Sequence, residues 1–232
     1  AKILYRDGHG TILRDTRKRN FDSMTYFGEL YRHGDSAPTR QITDRLVRIH
    51  SNFPIDNDMF LYTLSTLACL PRRVSKRYMG TKGLTEKECE AQFRFWCGLG
   101  ALMKIQNIPQ TQDQFLDWML DFEEKTFKPS AECTAIAAAL ADEWADYWMP
   151  APLKKSGIGI FYALVDPVMR RRLQLPEPTA LQSWVTSAAV KTFFVLKRLL
   201  PDPGERHMSD FFGRAYGNNL NINQVGYKGE SS

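Results

Sequence analysis

The sequence lacks the cysteine patterns typical of metal sites and the long apolar runs typical of transmembrane helices. Its four cysteines form no CxxC pair and no metal-ligand spacing, and all lie in apolar helical patterns, where cysteine is usually a small buried side chain. This usage predicts a reducing or redox-neutral compartment. No run reaches the roughly 18 apolar residues of a transmembrane helix, because Lys191, Lys197 and Arg198 interrupt the nearest candidate, residues 180–200. The initiator methionine is absent, which is compatible with removal of a presequence, a tag or an upstream anchor.

A strong excess of one charge is also absent. The chain carries 31 basic and 26 acidic residues, a formal net charge of +5. The short basic groups at residues 14–19, 71–77 and 170–172 are not interleaved with aromatic residues as a nucleic-acid-binding surface would require. We therefore expect no nucleic-acid partner. The groups are interpreted as solvated helix ends or as contacts with anionic lipid head groups or an acidic partner subunit.

The apolar residues recur at helical spacing, and no alternation typical of a strand is present. A chain of 232 residues with 43% apolar content can bury a sizeable core. We predict an all-α fold, a single globular domain of about eight helices. An irregular arm covers residues 1–14, the helical domain covers residues 15–200, and residues 201–232 form an extended tail that packs on a neighbour or on the domain itself.

Local signals predict several helix ends. Gly34 suits a left-handed C-terminal cap, and Asp56 or the residue after it begins another helix. Residues 85–88 and 111–114 resemble capping boxes. Pro71 is expected to kink or end the helix that contains it, because proline cannot donate a backbone hydrogen bond. All five tryptophans are expected to anchor the core, namely Trp96, Trp118, Trp144, Trp148 and Trp184.

An ordered series of segments resembles one known family. The series comprises Arg19-Asn-Phe-Asp22-Ser23, Arg45-Leu-Val-Arg48-Ile-His50, Asp56-Asn-Asp58-Met-Phe-Leu-Tyr62-Thr-Leu, Pro71-Arg-Arg, Leu84-Thr-Glu-Lys-Glu88, Phe95-Trp96-Cys-Gly-Leu-Gly100, Met103-Lys-Ile-Gln-Asn-Ile108-Pro109 and Phe115-Leu-Asp-Trp118. Each segment alone is weak, but their order and approximate spacing cover about two-thirds of the chain. The sequence is similar to the MpaB/rubber-oxygenase family, which includes the latex clearing proteins.

The resemblance implies a haem b oxygenase that cleaves carbon–carbon double bonds of isoprenoids. The family's proximal haem ligand corresponds to His50, which is therefore the candidate metal-binding residue. The family's distal arginine and threonine correspond to Arg19 and Ser23, with Asp22 at the position between them. Serine keeps the hydroxyl of the family's threonine but loses the methyl group that restricts the side-chain rotamer.

These residue types suit the implied chemistry. A neutral imidazole binds haem iron, and a distal arginine donates hydrogen bonds to dioxygen or pairs with a haem propionate. Asp22 or Ser23 could move a proton during oxygen activation. Apolar helices around the site could form a dry channel for an apolar, isoprenoid-like substrate.

Other interpretations of the same residues stay open. His50 also suits an ordinary helix C-terminus, Arg19 a basic surface group, and Asp22 the favourable charge of a helix N-terminus. The alternative hypothesis is an inactive family member that serves as an accessory subunit of a larger membrane complex, such as a mitochondrial one. A module that binds lipid or isoprenoid without iron is a third hypothesis. We expect an intracellular, membrane-associated protein at the endoplasmic reticulum or in mitochondria.

Overall fold

The computed structural model describes residues 2–201, 204, 206–217 and 220–226 of the chain. These residues form helices, short 3-10 turns and loops, with no strand among them, which confirms the predicted all-α class. The α-helices of this part of the chain are α1 (Lys2–Tyr5), α2 (Thr11–Arg14), α3 (Thr16–His33), α4 (Ala37–His50), α5 (Asn57–Met79), α6 (Glu86–Leu102), α7 (Gln112–Thr126), α8 (Ala131–Trp148), α9 (Lys154–Leu164), α10 (Pro167–Arg172), α11 (Ala180–Leu199) and α12 (Met208–Phe212).

Four of these helices were not predicted from the sequence. Helices α1, α2 and α12 have only four or five residues, which is too short to produce a periodic signal. Helix α9 contains Gly157 and Gly159, which are more typical of a turn. Both glycines are needed for close packing instead, because a Cβ at Gly157 would lie 2.6 Å from Met149 and one at Gly159 would lie 2.1 Å from Gln182.

The chain divides into two compact units. The first comprises Ala1–Asn20 and Phe127–Pro201, and the second comprises Phe21–Thr126 and Asp202–Ser232. The region predicted as an extended tail contributes described residues to the second unit, including the short helix α12.

In the first unit, α9 packs against both α8 and α11, and a small core lies at the contact of α8 with α9. Ala141 and Tyr162 are buried there, and Leu175 closes the cluster. The Thr186 hydroxyl of α11 donates to the Ile160 carbonyl of α9 at 3.2 Å. The side of α11 that carries Thr186 is therefore the side held against α9.

The acidic residues of α8 form ion pairs within this unit. Lys154 lies 3.0 Å from Asp142, and Arg17 lies 3.2 Å from Glu143 and 2.9 Å from Asp146. Such partly exposed pairs contribute about 0–1 kcal/mol each. Their side chains therefore serve as a solvated, charge-balanced helix face.

The core of the second unit is built mainly from α3 to α7. Helix α5 contributes Leu61, Leu64, Ala68 and Cys69 to it. Trp96 of α6 is 4% exposed and packs edge-to-face on Phe27 and Tyr31 in α3. Since these residues come from different helices, the aromatic contacts fix α3 and α6 against each other.

Pro71 does not end α5, which continues to Met79 with the proline inside it. A proline lacks the N–H that would donate to the Leu67 carbonyl one turn earlier. The Gln92 side chain reaches that carbonyl from α6, with its Nε2 at 3.5 Å. Of the two outcomes expected at Pro71, a kink or an end, the end does not occur, and the neighbouring helix α6 supplies a donor to the carbonyl that the proline leaves unbonded.

Other local predictions have mixed outcomes. The capping box at Thr85 and Glu88 is present, and Gly34 follows α3 with a left-handed φ of 52°. Trp148 and Trp184 are 52% and 67% exposed, so the expectation of a core position was wrong for both. Periodicity places a tryptophan on a helix but cannot show whether another element covers it. No helix in the described residues is both long enough and apolar enough to cross a membrane.

Candidate functional site

The three candidate residues of the first motif lie on α3 at helical spacing. Arg19, Asp22 and Ser23 stand at positions i, i+3 and i+4, which places them on one face of the helix. Asp22 is 5% exposed, whereas Arg19 and Ser23 are partly buried. Arg19 falls in the first unit, and Asp22 and Ser23 fall in the second.

His50 is the last residue of α4, as the sequence predicts for this histidine. Its Nδ1 lies 2.7 Å from the carbonyl oxygen of Leu46, one turn earlier. Because a carbonyl only accepts, Nδ1 is the donor, and in the neutral form of the ring the lone pair is then on Nε2. Metal-ligating histidines usually hold their second nitrogen in this way. The ring also packs edge-to-face on Phe60 of α5, with 5.4 Å between centroids, which fixes its orientation.

The described residues after position 205 pack along α3 within the second unit. We call residues 206–217 and 220–226 the C-terminal segment. Phe21 of α3 contacts Phe211 and Phe212, with centroid separations of 6.4 and 5.1 Å. Farther along α3, Arg32 forms an ion pair with Asp210. The segment therefore contacts α3 near both ends of the part that belongs to this unit.

The same segment reaches a residue of the predicted catalytic motif. The Tyr216 hydroxyl donates a hydrogen bond to Oδ1 of Asp22 at 2.5 Å. Burying a carboxylate is unfavourable unless donors compensate for the lost water, and Tyr216 supplies one such donor. Asp22 is therefore held by the C-terminal segment rather than exposed at an open site.

Val225 joins α3 to α4 through its backbone and is fully buried. Its carbonyl accepts from the Tyr26 hydroxyl at 3.0 Å and from the Arg45 guanidinium at 2.7 Å. Arg45 also donates to the Tyr26 oxygen at 2.8 Å. Burial raises the pKa of Tyr26 above its ordinary value, although the neighbouring Arg45 acts against this. Tyr26 therefore stays a neutral donor to Val225.

Gly226 turns the chain beside the same two helices. Its φ of 79° lies in the left-handed region that favours glycine, and a Cβ there would lie 3.3 Å from the Tyr26 ring and 3.8 Å from Ile49. Ile49 immediately precedes His50. The C-terminal segment thus occupies the space next to Tyr26 and Arg45, which we call the α3–α4 cleft.

Two open cavities lie farther along this cleft. The first cavity has a volume of about 310 Å³ and is bordered by Glu29, His33, Pro38, Gln41, Ile42 and residues 220–223. The second has a volume of about 220 Å³ and is bordered by Gln41, Asp44, Arg48, Ile222 and Asn223. None of Arg19, Asp22, Ser23 or His50 lines either cavity. Both cavities are at or below the lower end of the range of about 300–1,000 Å³ that is typical of small-molecule sites.

The residues present fit a haem group in their chemistry. His50 has the tautomer of an axial ligand, and α3 carries a carboxylate and a hydroxyl at Asp22 and Ser23. In the described residues no cluster of three or more histidine, cysteine or acidic side chains offers an alternative metal site. The α3–α4 cleft is closed by the C-terminal segment in this conformation.

Sequence reasoning missed Tyr26, Arg45, Tyr216 and Val225 as parts of this arrangement. Arg45 stood in a quoted segment but received no role, and Tyr216 and Val225 stood in the predicted tail. No local pattern could identify them, because the Tyr26–Val225 contact joins residues 199 positions apart. The capping, periodicity and turn rules all operate over a few residues.

The described residues define an all-α domain in which the motif histidine His50 ends α4 with its Nδ1 bonded to Leu46. The sequence model of the family "ER-bound oxygenase mpaB/B'/Rubber oxygenase, catalytic domain" matches residues 5–195. The chain therefore belongs to this family, as its sequence motifs predicted. No curated protein matches the chain significantly.

Proposed function

We propose that the chain is a haem-dependent oxygenase domain that acts on an apolar, isoprenoid-like substrate. The observation that carries the proposal is the 2.7 Å contact between Nδ1 of His50 and the Leu46 carbonyl. In the neutral ring it leaves the lone pair on Nε2, the atom through which His50 would hold the iron of a haem. Membership of an oxygenase family supports the same reaction class.

In this proposal His50 holds the haem, and the bound haem supplies the activation of dioxygen. Asp22 accepts a hydrogen bond from Tyr216, so this pair provides a route for a proton at Oδ1 of Asp22. Ser23 adds a hydroxyl one residue later on α3. We assign to Arg19 the role of orienting an anionic group, because its guanidinium is charged at all relevant pH values.

Titration of the purified chain with haemin tests the cofactor assignment. We expect a Soret absorption band that saturates at one haem per chain, and its loss in His50→Ala. His9→Ala is the matched control, because His9 is an exposed histidine outside both motifs. A Soret band that is unchanged in His50→Ala would exclude His50 as the ligand.

A second candidate function is supported by the closed α3–α4 cleft. Val225 is fully buried and its carbonyl is bonded by both Tyr26 and Arg45, an arrangement suited to a permanent structural contact. In this case the chain is an inactive family member that serves as an accessory subunit. It would bind no haem even after the C-terminal segment has been loosened, so haemin titrations of wild type and His50→Ala would give the same spectrum. Haem bound at one equivalent per chain excludes this candidate.

A further inference from the structure

Buried polar atoms without hydrogen-bond partners are concentrated in one part of the second unit. In the portion of the chain that the structure describes, such side-chain atoms belong to Glu29, Arg32, Ser36 and Ser209. Glu29 and Arg32 lie in the second half of α3, and Ser36 immediately precedes α4. Ser209 packs against Gly28 of α3. Because a buried polar group without a partner is unfavourable, this concentration favours a polar ligand at this end of α3.

Glu29 is the member of this group that borders a cavity. Its side chain is 9% exposed, and together with His33 it lines the cavity of about 310 Å³. Oε2 of Glu29 lies 3.4 Å from Nε2 of His33, whereas Oε1 receives no hydrogen bond. Nη1 of Arg32 is 3.1 Å from Oε1 but is not oriented to donate to it. A buried and incompletely bonded carboxylate therefore lines a cavity large enough for a small molecule.

The charges around Glu29 favour a cationic ligand. Arg32 is paired with both Glu29 and Asp210, and its hydrogen bond goes to Asp210. Two carboxylates therefore share one guanidinium. His33 is the other basic side chain beside Glu29, and it is charged only when protonated. With a neutral His33, the buried carboxylate lacks a full counter-charge among the described residues, which is unfavourable unless a cation binds.

The rest of the cavity border supplies amide and apolar groups. Side-chain amides come from Gln41, Asn221 and Asn223, which are all exposed residues. Ile42 and Leu220 supply apolar surface. Amides form hydrogen bonds with hydroxyl groups, and apolar side chains contact methylene groups. The border therefore suits a short ligand that combines an amino group, methylene groups and a hydroxyl.

We propose that this cavity binds a small amino alcohol. The protonated amino group of the ligand donates hydrogen bonds to the Glu29 carboxylate, and its hydroxyl bonds to the side-chain amide of Gln41 or Asn223. The site is separate from the proposed haem-binding residues, none of which borders the cavity. Residues 220–223 of the C-terminal segment form one wall, so the bound ligand also holds this segment against α4.

Heteronuclear nuclear magnetic resonance of the full chain, titrated with ethanolamine, tests the proposal. We expect saturable shifts of the side-chain amide signals of Gln41 and Asn223, with a dissociation constant of about 1 mM for so small a ligand. Choline, whose quaternary nitrogen has no N–H, and ethylene glycol, which has no charge, should each bind about tenfold more weakly or less. Amide hydrogen exchange of residues 220–226 should slow when ethanolamine is added, because these residues include one wall of the cavity.

Two variants with matched controls assign the binding to this cavity. Glu29→Gln keeps the size of the side chain but removes its charge, and it should weaken ethanolamine binding by about tenfold or more. Glu124→Gln, at an exposed glutamate of α7, should bind as wild type does. Gln41→Trp obstructs the cavity while leaving Glu29 intact, and it should cause a similar loss. Its control is Gln114→Trp, at an exposed glutamine of α7.

Glycerophosphoethanolamine distinguishes two sources of the amino alcohol. Tighter binding of this compound than of ethanolamine would identify the head group of a phospholipid as the ligand. Equal or weaker binding would identify a free amino alcohol. Both results support the cavity as an amine-binding site, because the same ammonium group reaches Glu29 in each case.

Three results would overturn the assignment. They are the absence of a saturable shift with ethanolamine, equal binding of ethanolamine and choline, and equal binding of ethanolamine by wild type and Glu29→Gln. The first result would leave water as the occupant of the cavity. None of these measurements requires haem, so their failure is distinguishable from a failure of the proposed oxygenase function.

Discussion

The hydroxyl of Tyr216 donates to the buried carboxylate of Asp22, which lies 194 positions earlier in the chain. Asp22 is the acidic residue of the first family motif, and Tyr216 belongs to the C-terminal segment. The proposed proton-transfer residue and the segment that closes the cleft are therefore joined by one hydrogen bond. Changes in either residue should affect both the stability of the segment and the chemistry at α3.

Tyr216→Phe should lower the unfolding free energy by about 1–3 kcal/mol, because it removes a donor from a buried carboxylate. Urea unfolding followed by circular dichroism measures the change. Tyr5→Phe, at a partly buried tyrosine of α1, is the control and should alter the value by less than about 0.5 kcal/mol. Equal effects of the two variants would show that the hydrogen bond to Asp22 is not stabilising.

Gly28→Ala should loosen the C-terminal segment from α3. A Cβ at Gly28 would lie 2.3 Å from the backbone nitrogen of Ser209, so the segment has to shift. Gly98→Ala in α6 is the matched control, since nothing lies within 4 Å of its added Cβ. That control should stabilise the helix by about 0.5–1 kcal/mol. Amide hydrogen exchange of residues 206–226 should rise in Gly28→Ala and stay unchanged in Gly98→Ala.

If the chain binds haem, Val225→Ala should increase its apparent haem affinity. Where the haem site includes the α3–α4 cleft, the C-terminal segment has to move before haem binds, so the apparent affinity is proportional to the fraction of molecules in which the segment is open. Removing two methyl groups from a fully buried residue weakens the closed form by about 1.4 kcal/mol, or roughly tenfold in population. Haemin titration of Val225→Ala and wild type checks this, and a lower affinity in the variant would contradict it.

The buried thiol of Cys69 should make the protein less stable at alkaline pH. Burial, with a smaller contribution from Cys97, raises the pKa of Cys69 from 9.0 to about 12. The unfolded chain therefore releases this proton first. The stabilisation is complete below pH 9.0 and is lost as the pH rises toward about 12, at up to about 1.4 kcal/mol per pH unit.

Urea unfolding at about pH 8 and about pH 10 measures this loss. The decrease in unfolding free energy between the two conditions should be smaller in Cys69→Ala than in wild type. Cys133→Ala is the matched control, at a partly exposed cysteine of α8, and should behave as wild type does. An identical decrease in all three proteins would assign the alkaline sensitivity to other groups.

Local sequence signals predicted much of the helical framework. Apolar periodicity and caps located the long helices from α3 to α8 and α11, and Asp56 and Thr85 accept the backbone hydrogen bonds expected of N-caps. These features were predictable because each depends on residues within about one turn. Helix α5 continues through Pro71 where a local rule allowed an end, because a local rule cannot include the contact that Gln92 of α6 makes with this helix.

The candidate site was predictable only in its individual residues. The family motifs pointed to His50 on α4 and to Asp22 and Ser23 on α3, and the hydrogen bond from His50 to Leu46 follows from their spacing in one helix. The closure by Tyr216 and Val225 was not predictable, because it depends on contacts between distant parts of the chain. The exposure of Trp184 likewise depends on what packs beside α11.

The second unit is discontinuous in the sequence, since Phe21–Thr126 is completed by residues after position 201. During synthesis, α3 to α7 leave the ribosome long before Tyr216 and Val225 exist. Until Val225 has been added to the chain, Tyr26 and Arg45 lack its carbonyl as an acceptor. Until Ser209 has been added, nothing packs against Gly28 at that position. An α3 and α4 that pack together at that stage would leave the α3–α4 cleft uncovered, so the cleft is closed only after the last part of the chain has been made.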